Sequence, residues 1–597
     1  MFHYLGKNKL QVLSILWLVT AFMVFLTWKR WGDVVVDCGK DIMTALRIAH
    51  GEVLYRDIQY NYGPFSPYIR AAIFKIFGIH LDVIIWYGIF LLFVAVSALF
   101  YLANRFLPVL LSFFYSFTFL ALCAVSQYVA IGGYNFVIPY ASPAVDGFIA
   151  GVVSLIVLNK HVEKSSPRLV FLGAVLTAFL FLIKLEIAAA SFIAWLFTIG
   201  LTRFSMRQAL LFASCSLLIP VLVYLFFGFS AGFENLFFNN LLPLHIATAI
   251  NYKFPMRLLG IEDPARSIEA VLISLLFFTS TVALNVILLR NLFTAHNIKF
   301  SVLFLWVGFL IASSFLALIV LDVYTTFKFL PFLNIFVFVY YLRESLKDKA
   351  PHPTKVEIIA LSVFSTILSL RMFLNFGAYH FGFYLLPFSL LVFYRVIFSE
   401  IPEMFLYKKH GSLVENARLS KFYNISMILV LLSACPSHMI VSFYYLRQKS
   451  FKLSTERGDL YTYKQHGLVF HEALKYLSEN KTSQDYLILF PEATMFNFFA
   501  SMNQPSYYQS FVPPEIPTKE AEMRVIKDME RTATRFVAII SSNLEPFGSK
   551  GFGVDYATEI MDYINQNYSP RKTFEVRDSS GKGTPVFWMH LFVRKER

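Results

Sequence analysis

The sequence predicts an α-helical polytopic membrane protein of about thirteen transmembrane helices with a small C-terminal α/β domain. Three observations carry this reading. Of 597 residues, 57% are hydrophobic and only 15% are charged, where a soluble chain carries about 25% charged residues. Apolar runs of about 15–22 residues recur from Leu10 to Leu446. Beyond Arg447 the runs stop, and short strand patterns alternate with amphipathic helical ones.

The spans are expected at Leu10–Trp28, Leu81–Tyr101, Leu107–Ser126, Ala144–Leu158, Leu169–Ile183, Ile187–Leu201, Gln208–Gly228, Ile268–Leu289, Ser301–Leu321, Thr326–Leu342, Val356–Asn375, Phe381–Phe398 and Phe422–Leu446. The first run follows Lys7 and Lys9 as a signal peptide would, but "KRWGD" rather than a small-residue cleavage site comes after it, so it reads as a retained anchor. Alternate connections are basic, with Arg105; Lys160, Lys164 and Arg168; Arg203 and Arg207; Arg290 and Lys299; Arg343, Lys347, Lys349 and Lys355; and Lys408, Lys409, Arg418 and Lys421. The positive-inside rule puts these and the N-terminus in the cytoplasm. An odd number of spans then sends the tail outside, together with the opening connection and the connections 127–143 and 229–267. The opening connection is itself rich in Lys and Arg, but long loops follow the rule weakly. The net charge of +14 is thus a topology signal, not a nucleic-acid footprint. The expected organisation is a membrane unit over 1–446, with a first extracytoplasmic loop at 29–80, and a soluble α/β unit over 447–597. In the tail, "HGLVFHEALKYLSEN" and "YATEIMDYINQNY" have helical spacing, and "QDYLILF", "RFVAIISS" and "PVFWMHLFV" read as strands.

Chemistry-bearing residues concentrate in the opening connection, which holds Asp37, Asp41, Glu52 and Asp57. Asp37 stands at a helix end, where a carboxylate either caps the helix or serves as a base. Asp57 sits in the turn "YRDIQYNYGP", where it forms an Asx turn or binds an acceptor or metal. Asp41 and Glu52 read as solvated faces of one helix. Lys184 and Glu186 interrupt two short apolar runs; charges there are costly unless paired or functional. Lys328 and Arg371 fall near the outer ends of spans and, with Lys184, are candidate phosphate ligands. Four scattered cysteines form no C-x-x-C pair, and His245 alone makes no metal motif.

The stretch "DCGKDIMTALRIAHGEVLYRDIQYNYGPFSPYIRAAIFKIFG", with an acid just past the first span, a "G-x-x-x-Y-R-D" and a "Y-G-P", resembles the polytopic C-type (GT-C) glycosyltransferases. The likeness is nearest to prokaryotic relatives of protein O-mannosyltransferases (glycosyltransferase 39-like) and of aminoarabinose-lipid A transferase. It continues in "FLIKLEIAAA", in "FKFLPFLNIF", with Lys328 where Arg is usual, and in the tail stretch "FPEATMFNFFASMNQPSYYQSFVPP". The resemblance implies a helical bundle with extracytoplasmic loops on its outer face and a polyprenyl-phosphate sugar as donor. It further implies a glycan, lipid or protein as acceptor and Asp37 as the general base of an inverting hexosyl or pentosyl transfer. Two departures stand out: "D-C-G" lacks the adjacent second acid of many relatives, and Asp146 is the nearest match to a second-loop acid. A divalent cation, Mg or Mn, held by Asp37 and Asp57 is a candidate cofactor. A transporter or flippase of lipid-linked or polar solutes is the alternative. It predicts paired repeats and mid-membrane charges, whereas the sequence shows no internal repeat.

Overall fold

A computed structural model describes residues 7–202, 205–248, 253–292, 300–348, 351–407, 413–577 and 585–596. Arg203, Lys299, Lys349, Lys408 and Lys409, used above for sidedness, and the side chain of His245 lie outside the described residues.

Every segment expected to span contains a helix, although in Thr326–Leu342 it begins only at Leu330. Among the described residues, nine helices are long and apolar enough to cross a membrane: Asn8–Leu26, Leu81–Phe106, Ser142–Lys164, Met206–Ala231, Lys253–Leu292, Leu303–Val320, Pro353–Asn375, Gly382–Leu406 and Asn416–Gln448. The other four expected spans are shorter or less apolar helices, at Val109–Ala124, Pro167–Phe181, Leu185–Leu201 and Leu330–Lys347. The first helix leaves Leu18, Phe22 and Phe25 exposed, the surface a lipid environment accepts. At one end of the bundle Arg105 meets Glu163 and lies 2.6 Å from Glu357, joining three connections expected on one side.

At the other end the opening connection folds into helices Cys38–Ala49 and Phe65–Phe77. Residues 229–267, expected as a plain connection, form helices Phe233–Thr248 and Lys253–Leu259 and then begin the next long helix at Pro264. Residues 127–143 stay largely irregular and are tied to the opening connection by Asn135, whose Nδ2 donates to the Trp31 carbonyl at 2.9 Å.

The tail contains a hairpin, β1 (Phe451–Thr455) and β2 (Gly458–Thr462), and a four-stranded sheet of β3 (Leu487–Phe490), β4 (Phe536–Ile540), β5 (Tyr568–Arg577) and β6 (Pro585–Arg594). The sheet order is β3-β4-β6-β5, with β3 parallel to β4 and the other pairs antiparallel. The three strands legible in the sequence are β3, β4 and β6. The edge strand β5 was not legible: it is polar, it carries Pro570 at a register shift, and such features suit an edge rather than a strand pattern.

The tail is seated on the opening connection. Gly39 makes this possible, because a Cβ there would lie 2.3 Å from the Met495 backbone nitrogen. Lys29 Nζ donates to Asp459 at 2.8 Å, Lys40 Nζ to Glu515 at 2.7 Å, and the buried Lys449 Nζ to the Gly32 carbonyl at 2.8 Å. Helix Cys38–Ala49 is therefore buried on all sides, which corrects the expectation of a solvated face. Asp41 accepts from Tyr60 OH at 2.8 Å and from the Ser142 backbone N–H at 3.1 Å, at the start of helix Ser142–Lys164. Glu52 pairs with Arg47 at 2.6 Å.

Gly39→Ala places a methyl group inside the Met495 backbone. We expect a stability loss of about 1–3 kcal/mol or more, read as a lower unfolding temperature in detergent and as faster protease cleavage at the tail.

Candidate functional site

Asp37 ends the turn before helix Cys38–Ala49 with φ 63° and ψ −84°. A residue with a Cβ is rarely found there, and such strain persists only where surrounding contacts enforce it. They do so here. One Asp33 carboxylate oxygen accepts from the Val35 and Val36 N–H groups at 2.8 and 3.1 Å, and Cys38 Sγ donates to the Asp33 carbonyl at 2.8 Å. The other Asp33 oxygen accepts from the Gly132 N–H at 3.3 Å. Gly132 has φ 95°, and a Cβ on it would lie 3.0 Å from Asp37 Oδ2 and 2.8 Å from the Tyr134 ring. The Asp37 carboxylate and the Tyr134 ring thus border the same point of space.

The tail brings Glu492 and Glu515 to this helix start. Glu492 lies three residues before Met495, which touches Gly39, and Glu515 holds Lys40. Burial pushes the Asp37 carboxyl up to about 7, helped by the neighbouring Asp33 and Glu515 charges and opposed by Lys40. Burial pushes Glu492 up to about 8, reinforced by Asp37, Asp33 and Glu515 and again opposed by Lys40.

The second half of the site is a cation pair. Helix Pro167–Phe181 stops at Leu182, and Lys184 and Glu186 open helix Leu185–Leu201. Gly63 fixes this turn against the opening connection: a Cβ on it would lie 2.1 Å from the Leu182 carbonyl oxygen, and the Phe65 N–H donates to that carbonyl at 3.0 Å. The staple places the Tyr62 ring 4.0 Å from Lys184 Nζ. The ammonium also donates to Tyr140 OH at 3.2 Å and lies 3.4 Å from Glu186. Arg371 pairs with the same Glu186 carboxylate, which accepts from Tyr384 OH at 2.9 Å, and its guanidinium lies 4.0 Å from the Phe381 ring centre. Aromatic contacts from Tyr134 join the halves, to Tyr140 at 5.5 Å and to Phe381 at 6.0 Å between ring centres.

The structure brings three of the sequence candidates, Asp37, Lys184 and Arg371, to one contiguous region. Lys328 lies beside it, its Nζ donating at 2.9 Å to Asn375 on the same short turn, Leu370–Asn375, that carries Arg371. Asp57 does not join them. It stands by Arg47 at the far end of helix Cys38–Ala49, roughly 18 Å of helix from Asp37, accepting from the Val53 N–H at 2.8 Å and pairing with Arg56 at 2.8 Å. Asp37 and Asp57 therefore do not fit a shared cation, and among the described residues no group of three or more His, Cys, Asp or Glu side chains is placed to hold a metal. Asp146 is buried in an ion pair with Arg70 at 2.7 Å. Sequence reasoning missed Asp33, Tyr134, Glu492 and Glu515. Only Asp33, four residues before Asp37, had a local signal.

No family model and no curated protein matches the chain. Among solved structures it is similar to the Archaeoglobus fulgidus oligosaccharyltransferase tethered with an acceptor peptide containing the NVT sequon, with a TM-score of 0.49 and 13% identity over 100% of this chain and 75% of that one. A second likeness is to the same enzyme in complex with Zn and sulfate, with a TM-score of 0.49 and 13% identity over 96% of this chain and 72% of that one. A third is to ArnT from Cupriavidus metallidurans bound to undecaprenyl phosphate, with a TM-score of 0.44 and 10% identity over 97% of each chain. These likenesses are distant, and the roles of this chain's residues rest on their own geometry.

Proposed function

We propose that the protein is an integral-membrane glycosyltransferase that moves one sugar from a polyprenyl-phosphate donor to an extracytoplasmic glycan, lipid or protein, with inversion. The observation that carries this reading is the convergence of a strained, elevated-pKa carboxylate, Asp37, with the Lys184–Arg371 cation pair across a bridge of tyrosines. They meet at the end of the membrane bundle where the tail is seated. A donor whose lipid stays in the bilayer presents its phosphate and sugar at that boundary.

In the proposed reaction the acceptor hydroxyl oxygen attacks the anomeric carbon, and the bond from that carbon to the phosphate oxygen breaks. The electron pair leaves with the phosphate, and the hydroxyl proton passes to Asp37. One displacement at one carbon inverts its configuration. Lys184 and Arg371 face the charge that grows on the leaving phosphate, and stabilisation of this kind is strongest away from bulk water. Glu186 holds both cations until the phosphate takes its place. The tail covers the base and shapes the acceptor side.

Radiolabelled polyprenyl-phosphate sugars offered as a panel test the reading through label released from lipid. Asp37→Asn keeps the shape and loses the base, so release falls by about 10²–10⁴-fold while the protein still folds and inserts; full turnover by this variant refutes the assignment. Lys184→Gln lowers kcat/KM by about 10²-fold and turns the loss of activity above about pH 7 into a plateau.

Asp37 must be unprotonated to act, and its folded value of about 7 lies above the ordinary 3.8. Activity therefore climbs about tenfold per pH unit up to about 7 and falls above it, because burial lowers the Lys184 ammonium to about 7 against the pull of Glu186. The folded chain binds the proton that the unfolded chain has lost between about 4 and 7, so the same group removes stability as pH rises through that window. A pH–rate profile flat from 5 to 8 contradicts the base role.

A further inference from the structure

Against Tyr134 lies His380, in the loop that joins the turn Leu370–Asn375 to helix Gly382–Arg395. The loop is tight, because a Cβ on Gly382 would lie 1.6 Å from the Gly377 carbonyl oxygen. His380 takes φ 47°, a left-handed conformation that a non-glycine residue seldom adopts without a reason in its surroundings. Its ring centre is 5.0 Å from that of Tyr134, the ring that borders the Asp37 carboxylate. Its chain neighbour Phe381 lies under the Arg371 guanidinium. His380 Nδ1 is buried and has no hydrogen-bond partner among the described residues, and such atoms are uncommon in folded proteins. Burial, with the nearby Arg257 charge, holds the imidazole down to about 4. At neutral pH it is uncharged, one nitrogen donating and the other accepting.

If the phosphate sits at Lys184 and Arg371 and the anomeric carbon is within reach of Asp37, the sugar ring occupies the space between them. A neutral imidazole suits a sugar hydroxyl, which is itself both donor and acceptor, better than it suits an anion. We propose that His380 reads a hydroxyl of the donor sugar through Nδ1 and so sets which sugar the site accepts. This inference rests on the glycosyltransferase reading.

Retention of radiolabelled donors on Asp37→Asn protein tests it without requiring turnover. The probes are polyprenyl-phosphate hexoses and their monodeoxy counterparts. His380→Gly accepts the backbone angle and removes the ring, so misfolding is not expected. His380→Asn also tolerates the angle and places a short polar group near the Nδ1 position. With His380 present, one deoxy donor should bind at least about tenfold more weakly than its parent. His380→Gly should bind that pair equally, and His380→Asn should restore part of the preference. A preference unchanged in His380→Gly, an equal loss for every donor, or no retention of any donor overturns the inference. Turnover that survives Asp37→Asn refutes the base and leaves the binding comparison standing.

Discussion

Helix Cys38–Ala49 has no face left for water, and the rest of the site depends on that. Gly39 lets the Met495 backbone come into contact, Asp41 meets the start of helix Ser142–Lys164, and Arg47 anchors the far end through Glu52 and the carbonyls of Ser506 and Asp57. A helix gripped by the bundle on one side and the tail on the other cannot rotate to relax the residue before it. The Asp37 backbone strain is held in place by those contacts.

The same burial sets the electrostatics. Three further carboxylates, on Asp33, Glu492 and Glu515, approach Asp37, with Lys40 as the nearby cation. Removing water from such a group favours the protonated forms, so Asp37 and Glu492 bind protons far above their ordinary range. A carboxyl that titrates near neutrality follows from crowding several acids into a covered space. Asp33 spends both carboxylate oxygens on backbone N–H groups and so holds the backbone that carries Asp37.

The cation pair illustrates the opposite economy. Lys184 and Arg371 come from separate parts of the chain and share one carboxylate, Glu186, with tyrosine hydroxyls and aromatic faces completing the surroundings. The break between helices Pro167–Phe181 and Leu185–Leu201 puts Lys184 and Glu186 at a turn rather than within a span, where their cost would be larger. Gly63 and the Leu182 carbonyl carry the opening connection to that turn and bring Tyr62 with it.

Hydrophobic periodicity by itself determined the helical membrane architecture and the change of composition at the tail, because the length of an apolar run and its spacing are local properties. It also marked Asp37, Lys184 and Arg371, since charged residues beside apolar runs stand out in one dimension. Three of the four strands of the tail sheet were legible for the same reason, and the polar edge strand β5 was not. Tertiary structure alone decided that Asp41 is buried, that Asp57 stands apart from Asp37, and that Glu492, Glu515 and Tyr134 gather around Asp37 with His380 against Tyr134. Those residues lie far from Asp37 along the chain, and no local pattern encodes a neighbour created by the seating of one lobe on another. Glycines without space for a Cβ, at 39, 63 and 132, are where that seating is written into the sequence. Their meaning appears only when the opposing backbone is in place.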